Sequence, residues 1–406
     1  MFSDEILLRA EKPARYIGNE FNMVRKDPKS VDIRFLFAFP DVYEVGMSHN
    51  GLQIIYGLFN ERADVYCERA FAPWVDMEGI MRAENLPLKS LETYTAITEF
   101  DFIGFTLQYE MTYTNILNML DLGNIPLRAA ERDETHPIIC GGGPCAVNPE
   151  PLAEFFDFFF IGEAEEKFHA VFDLYKLHKG DKNAFLEKLT QVDGVYVPKF
   201  YDVEYAGDGT IAAFMPNMPA APAVVRKVFV DVLDRAYYPE KALVPLMETV
   251  HNRVALEIFR GCVRGCRFCQ AGFIYRPFRV KTVDTLFEQA CRLIESSGHD
   301  EISLLSLATN DYPHLNELVD RLNDRFEAQR VSISLPSLRI DAANQTVLEK
   351  VQKVRKSSLT FAPEGGSQRI RDIVNKNISE QEIFDGVQRA FEGGWDRLKL
   401  YFMVGL

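Results

Sequence analysis

Short apolar runs alternate with amphipathic stretches in two separate parts of the chain. In the first part, Asp32–Pro40 predicts a buried strand, followed by a helix from about Asn50 to Glu61. Phe102–Leu107, Pro137–Cys140 and Phe156–Ile161 predict three more strands. Helical periodicity covers Met111–Leu122, and a further helix runs on to about His178. After an irregular lead-in to about residue 30, this alternation predicts a doubly wound, Rossmann-like α/β domain over residues 1–195. Residues 196–245 break the rhythm. Short β-like pieces at Tyr196–Pro198 and Val228–Val232, with the proline-spaced run Met215–Pro222, predict a linker with a small β extension.

A second βα series starts near Val254. Its strands are expected at Val254–Phe259, Glu301–Leu305, Val331–Leu335, Ser358–Phe361 and Arg397–Met403. Helices are expected near 282–297, 313–328, 343–354 and 379–393. The spacing predicts a partial (β/α) TIM-like barrel over residues 246–406. A parallel strand needs a following helix to cover it, and the chain stops directly after the fifth strand. The barrel is therefore expected to be truncated at its C-terminus, as part of a longer protein.

Composition narrows the class of protein. The chain has 406 residues, 47% hydrophobic and 26% charged, which suits globular domains with sizeable cores. No apolar run is long enough to cross a bilayer, and the N-terminus lacks a secretory pattern, so no membrane role and a cytoplasmic location are expected. The net charge of −14 disfavours diffuse binding to nucleic acid.

Seven cysteines are present. Cys67, Cys140, Cys145 and Cys291 fall in strand-like or helix-like contexts and read as buried apolar side chains. Cys262, Cys266 and Cys269 are different. Their spacing, Cys-x3-Cys-x2-Cys, gathers three thiolates in one loop with no fourth cysteine nearby. Thiolate is the usual protein ligand of iron–sulfur clusters, and three ligands leave one iron open. A structural zinc site normally takes four protein ligands. The cluster follows the first strand of the second series, at the end of a parallel barrel where βα loops carry chemistry. Arg276, Arg279 and Lys281, just beyond, read as a solvated basic patch.

This motif and its placement resemble the radical S-adenosylmethionine (radical SAM) superfamily, over about Val254 to Leu406. The resemblance implies a 4Fe–4S cluster on Cys262, Cys266 and Cys269, with S-adenosylmethionine on the open iron and Phe268 near its adenine. It makes Ser306, Thr309 and Asn310 candidate contacts to the cofactor after the second strand, although the glycines common there in relatives are missing. Ser334 and Arg339 are candidates after the third strand, the guanidinium of Arg339 matching a carboxylate. Glu364 is a candidate acceptor for ribose hydroxyls or the amine.

The first domain is similar to the cobalamin-binding modules that precede many radical SAM domains. Gly104–Leu107, Ile139–Pro144, Asn148–Pro151 and Asp157–Glu166 carry the resemblance. It implies contacts from Thr106 to the nucleotide base and from Gly141, Gly142 and Gly143 to the ligand. Gly46–Gly51 lacks the Asp-x-His-x-x-Gly pattern of histidine-ligated cobalt, so His49 reads as a capping or pocket-lining residue. The function implied is reductive cleavage of S-adenosylmethionine to a 5′-deoxyadenosyl radical that acts on an unknown substrate, by methyl transfer, oxidation or rearrangement. An external one-electron reductant such as flavodoxin or ferredoxin is expected. Two alternatives stay open: an RNA-modifying, methylthiotransferase-like enzyme, and a non-catalytic iron–sulfur or cobalamin sensor.

Overall fold

The computed structural model describes residues 2–341, 345–351, 354 and 359–405. The chain divides into two compact units. The first comprises Met1–Val230, Ala236–Pro239 and Leu243–His251, and the second comprises Asp231–Arg235, Glu240–Ala242 and Asn252–Leu406.

The first unit is built on β1 (Ile33–Phe39), β2 (Val65–Phe71), β3 (Phe102–Thr106), β4 (Ile138–Gly142), β5 (Phe158–Phe160) and β6 (Val195–Tyr196). They form one sheet in the order β2-β1-β3-β4-β5-β6. All neighbours are parallel except β5 and β6. Side chains alternate between two cores, as the pleat requires. Phe35, Phe37 and Phe39 pack on one face with Leu52, Tyr56 and Phe59 of the helix Asn50–Glu61. Leu36 and Ala38 pack on the other with Met77 and Met81 of Val75–Ala83 and with Met119 of Tyr113–Leu122. Both faces are covered, so the sheet is doubly wound.

Four strands of this sheet lie where the apolar runs predicted them. β2 was not legible in that way. All seven of its residues are buried, yet Glu68 and Arg69 sit in the middle and break the apolar pattern. Arg69 is completely buried between two carboxylates. Its Nη2 donates to Glu20 Oε2 at 2.8 Å and its Nε to Glu92 Oε1 at 2.6 Å. Beside it, Glu68 accepts from Arg34, Ser90 and Thr93.

Residues 196–245 divide between the units. β7 (Tyr201–Tyr205) and β8 (Ile211–Pro216) form an antiparallel hairpin within the first unit. Val228 makes one parallel bridge to Gly162. In the second unit, Asp234 accepts from the backbone N–H of Thr282 at 2.8 Å.

The second unit holds a parallel series. β9 (Val254–Glu257), β12 (Glu301–Leu305) and β13 (Ser332–Ser334) form a sheet in the order β13-β12-β9, with β10 (Phe259–Arg260) and β11 (Arg279–Val280) as a separate antiparallel pair. β14 (Leu359–Glu364) pairs in parallel with β15 (Leu398–Phe402). This is a partial (β/α) barrel series. The strand expected through Phe259 ends at Glu257, and Phe259 turns instead onto Val280. Capped helices follow the strands. Thr282 caps Val283–Ser297, and Ser379 with Glu382 forms a capping box at Glu380–Glu392. Ser358, and parts of the helix expected at 343–354, lie outside the described residues; Gln345–Val351 is helical.

Burial pushes the Glu92 carboxyl up to about 7, with Arg69 opposing and Glu20 reinforcing. Between the ordinary value of 4.5 and about 7, the folded chain keeps a proton that the unfolded chain has lost. The contribution of Glu92 to stability therefore falls as pH rises through that window. Glu92→Gln is expected to remove this slope, measured as a flatter dependence of the urea midpoint on pH. Arg69→Met strands two buried carboxylates and is expected to cost about 3–5 kcal/mol in the same measurement.

Candidate functional site

Two clusters of candidate residues sit at the C-terminal ends of parallel strands, one in each unit. In open α/β sheets ligands bind there, at the point where strand order reverses. In the first unit that point lies between β1 and β3.

His49 follows β1 and caps the helix Asn50–Glu61, its Nδ1 accepting from the backbone N–H of Leu52 at 3.1 Å. Its ring lies 5.4 Å from that of Phe39. Burial pushes the imidazole down to about 4, against a hydrogen bond with Gln108. The ring is thus neutral near pH 7. With Nδ1 accepting, the proton resides on Nε2, so ligation of a metal through either nitrogen would require the cap to be given up.

Thr106 ends β3, buried, and its Oγ1 accepts from Gln108 Nε2 at 2.6 Å. Gly143 has φ +104, and a Cβ there would stand 2.9 Å from Gln108 Nε2 and 3.0 Å from the Leu107 carbonyl oxygen. A Cβ at Gly141 would meet the rings of Phe156 and Phe159 at 3.0 Å. The space at these two glycines is taken by the chain itself. Gly142 is the roomier one, with its nearest neighbour, the Phe160 carbonyl oxygen, at 3.7 Å. Gln108, which links His49 to Thr106, carried no sequence signal beyond its place after a strand.

In the second unit, Cys262, Cys266 and Cys269 lie half-buried in the loop after β10. Gly261 opens the loop with φ +90. A Cβ there would stand 2.6 Å from the Pro277 carbonyl oxygen, so only glycine fits. Burial pushes the Cys266 thiol up, against the pull of the Lys376 and Arg339 charges. Among the described residues, no group of three or more His, Cys, Asp or Glu side chains is drawn together around one ion position. The loop presents three soft ligands on a held backbone, which is the donor chemistry an iron–sulfur cluster takes. Phe268, between Cys266 and Cys269, is 38% exposed.

The other candidates line neighbouring strand ends. Ser306 Oγ lies 3.1 Å from Oγ1 of the buried Thr309. Asn310 Oδ1 accepts from the backbone N–H of Arg339 at 2.9 Å. Arg339 is buried with its fork on Asp341, at 3.0 and 2.9 Å. Ser334 Oγ is buried and has no hydrogen-bond partner among the described residues, an orphan suited to a ligand. Glu364 sits at φ +66 and pairs with Lys376 at 3.3 Å. Arg264, inside the cysteine loop, pairs in bidentate fashion with Asp311. Lys376, Asp311 and Arg264 were not singled out in the sequence. The run Asn375–Asn377, with two asparagines in left-handed conformation, was the available signal of a built turn.

Two expectations are corrected. Lys281 is not solvated: it is completely buried, 3.2 Å from Gln289 Oε1 and 3.9 Å from Glu257. Cys291 is only half-buried, whereas Cys67, Cys140 and Cys145 are buried as expected.

Residues 51–198 match the family described as Radical SAM proteins, N-terminal, and residues 256–406 match the Radical SAM superfamily. The uncharacterized protein MJ0966 of Methanocaldococcus jannaschii is 30% identical over 329 residues, which is 79% of this chain and 62% of that protein. The putative methylthiotransferase MJ0865 of the same organism is 23% identical over 150 residues, 35% of this chain and 33% of that protein. The chain thus spans less than two thirds of the length of either curated relative. The cobalamin-dependent S-adenosylmethionine radical enzyme OxsB, with aqua-cobalamin and S-adenosylmethionine bound, aligns with TM-score 0.60 at 13% identity, over 91% of this chain and 49% of that chain. The radical S-adenosylmethionine methyltransferase TsrM from Kitasatospora setae, with cobalamin and a 4Fe–4S cluster bound, aligns with TM-score 0.57 at 10% identity, over 92% of this chain and 69% of that chain. At these identities the likeness is one of fold. No helix among the described residues is long and apolar enough to cross a membrane.

Gly261→Ala is expected to cost about 1–3 kcal/mol of local stability through its left-handed backbone. Faster amide hydrogen exchange across residues 259–280 would show it.

Proposed function

The chain belongs to the radical S-adenosylmethionine superfamily, and from that premise we propose a cytoplasmic, cobalamin-dependent enzyme that cleaves S-adenosylmethionine reductively to act on an unidentified substrate. The observation that carries this reading is the loop of Cys262, Cys266 and Cys269 at the C-terminal ends of a parallel series, with the orphaned hydroxyl of Ser334 on a neighbouring strand end. A 4Fe–4S cluster on these thiols would pass one electron from a reductant such as flavodoxin or ferredoxin to S-adenosylmethionine, releasing methionine and a 5′-deoxyadenosyl radical.

The chain's own residues bind and orient. Phe268 offers a ring face to adenine. Ser306, Thr309, Asn310 and Ser334 supply neutral donors and acceptors for the methionyl end. Glu364, held by Lys376, accepts from ribose hydroxyls or the amine. The fork of Arg339 is committed to Asp341, so it acts on a carboxylate chiefly through its charge. In the first unit, Thr106 and the roomy backbone at Gly142 are proposed cobalamin contacts, supported by the fold shared with OxsB and TsrM. His49 is left out as a cobalt ligand because its Nδ1 caps a helix. Methyl transfer, oxidation and rearrangement are the outcomes such a pair of cofactors permits.

The segment similar to MJ0865 favours a second reading, methylthio transfer. Enzymes of that kind that carry a second cluster need three further thiols together. Here Cys67 and Cys140 pack on one face of the sheet and Cys145 on the other. Burial pushes all three thiols up, Cys145 to about 11, away from the thiolate form that ligation needs.

Anaerobic reconstitution with iron and sulfide, followed by S-adenosylmethionine and dithionite, tests the reading. Expected are cluster absorption, retained corrinoid absorption after cobalamin loading, and formation of 5′-deoxyadenosine. Cys266→Ala should reduce that product at least about 100-fold, in line with loss of an essential metal ligand. A loaded protein that binds S-adenosylmethionine and yields no 5′-deoxyadenosine would point to a sensor instead.

A further inference from the structure

We propose that the segment Val374–Lys376, after β14, is a strap that positions the cysteine loop. The inference rests on the reading of that loop as the cluster site. The strap grips the loop at its backbone. The N–H of Arg267 donates to the Val374 carbonyl at 2.9 Å, and the Arg267 guanidinium donates to the Ile373 carbonyl. Asn375 Nδ2 donates to the Gly265 carbonyl at 2.7 Å. A Cβ at Gly265 would stand only 3.1 Å from that nitrogen, so glycine keeps the approach open.

The strap is itself anchored. Asn375 holds φ +55 and Asn377 φ +53, a left-handed turn that asparagine tolerates. The N–H of Lys376 donates to the Arg371 carbonyl at 2.9 Å. Arg371 is buried, with Nε on the Ile378 carbonyl at 2.8 Å and Nη1 on the Gly365 carbonyl at 3.0 Å. One buried guanidinium thus ties Ile378, just beyond the end of the strap, to the turn after Glu364. Lys376 is left with its ammonium on Glu364 at 3.3 Å, and its carbonyl accepts from Arg339 at 3.2 Å.

The side chain of Asn375 restrains the loop. Asn375→Gly keeps the left-handed backbone without strain and removes only the hydrogen bond. In the full-length, metal-free chain, amide hydrogen exchange over residues 262–269 should be several-fold faster in Asn375→Gly than in the parent; unchanged protection overturns the positioning role. Failure of the parent chain to take up a cluster would count against the family reading, and the exchange comparison would still decide the strap.

Discussion

A guanidinium with no access to water organises the first unit. Arg69 lies in an edge strand, where unpaired backbone and charged side chains would ordinarily face solvent. Here the edge is covered, and the covering is held by charge. Glu20 comes from the N-terminal lead-in and Glu92 from the segment before β3, and both close on Arg69 inside β2. The same guanidinium donates to the Met47 sulfur, and Tyr43 donates to Glu20. The turn that leaves β1 is thereby seated on the buried ions, and His49 follows two residues after Met47. A charge network on the sheet edge so holds the turn between β1 and His49. Breaking one partner of such a network costs far more than an exposed pair would.

The second unit meets a different constraint. Three thiols in a short loop cannot order themselves, because a loop without secondary structure spends its backbone polar groups on whatever is near. The neighbouring strand ends supply the partners. Arg264 reaches Asp311 after β12, while Gly265 and Arg267 are held from after β14. The loop is therefore referenced to two other strand ends before any metal arrives. In the radical chemistry proposed for this chain, such a held geometry would keep a reactive intermediate from water and aim it at one bond.

The legible and illegible parts of the fold divide on physical grounds. β1, β3, β4 and β5 are buried on both faces and read as continuous apolar runs. The helices after β9 and β14 announce themselves through Thr282, Ser379 and Glu382, local caps that need no tertiary information. β2 hid because the residues that matter most to it are ionic, and a buried ion is recognisable only when its partners are known. Lys281 was misread for the same reason: its partners Glu257 and Gln289 are on other elements, and nothing local marks it as buried.

The sequence by itself carried the candidate chemistry. Cys-x3-Cys-x2-Cys after a predicted strand marks three candidate ligands, because metal-binding spacing is a local property of one loop. The order of apolar runs determined the two parallel series, because hydrophobic periodicity is local as well. Only the tertiary structure decided which groups hold the cysteine loop in place. Asn375 stands 110 residues from Gly265, and Glu92 stands 23 from Arg69. Contacts of that separation leave no periodic trace in the chain, since they arise when strands already packed side by side bring unrelated loops to one edge. They also decided that Gly141 and Gly143 make room for the protein's own atoms, a distinction that depends on what fills the space around each residue.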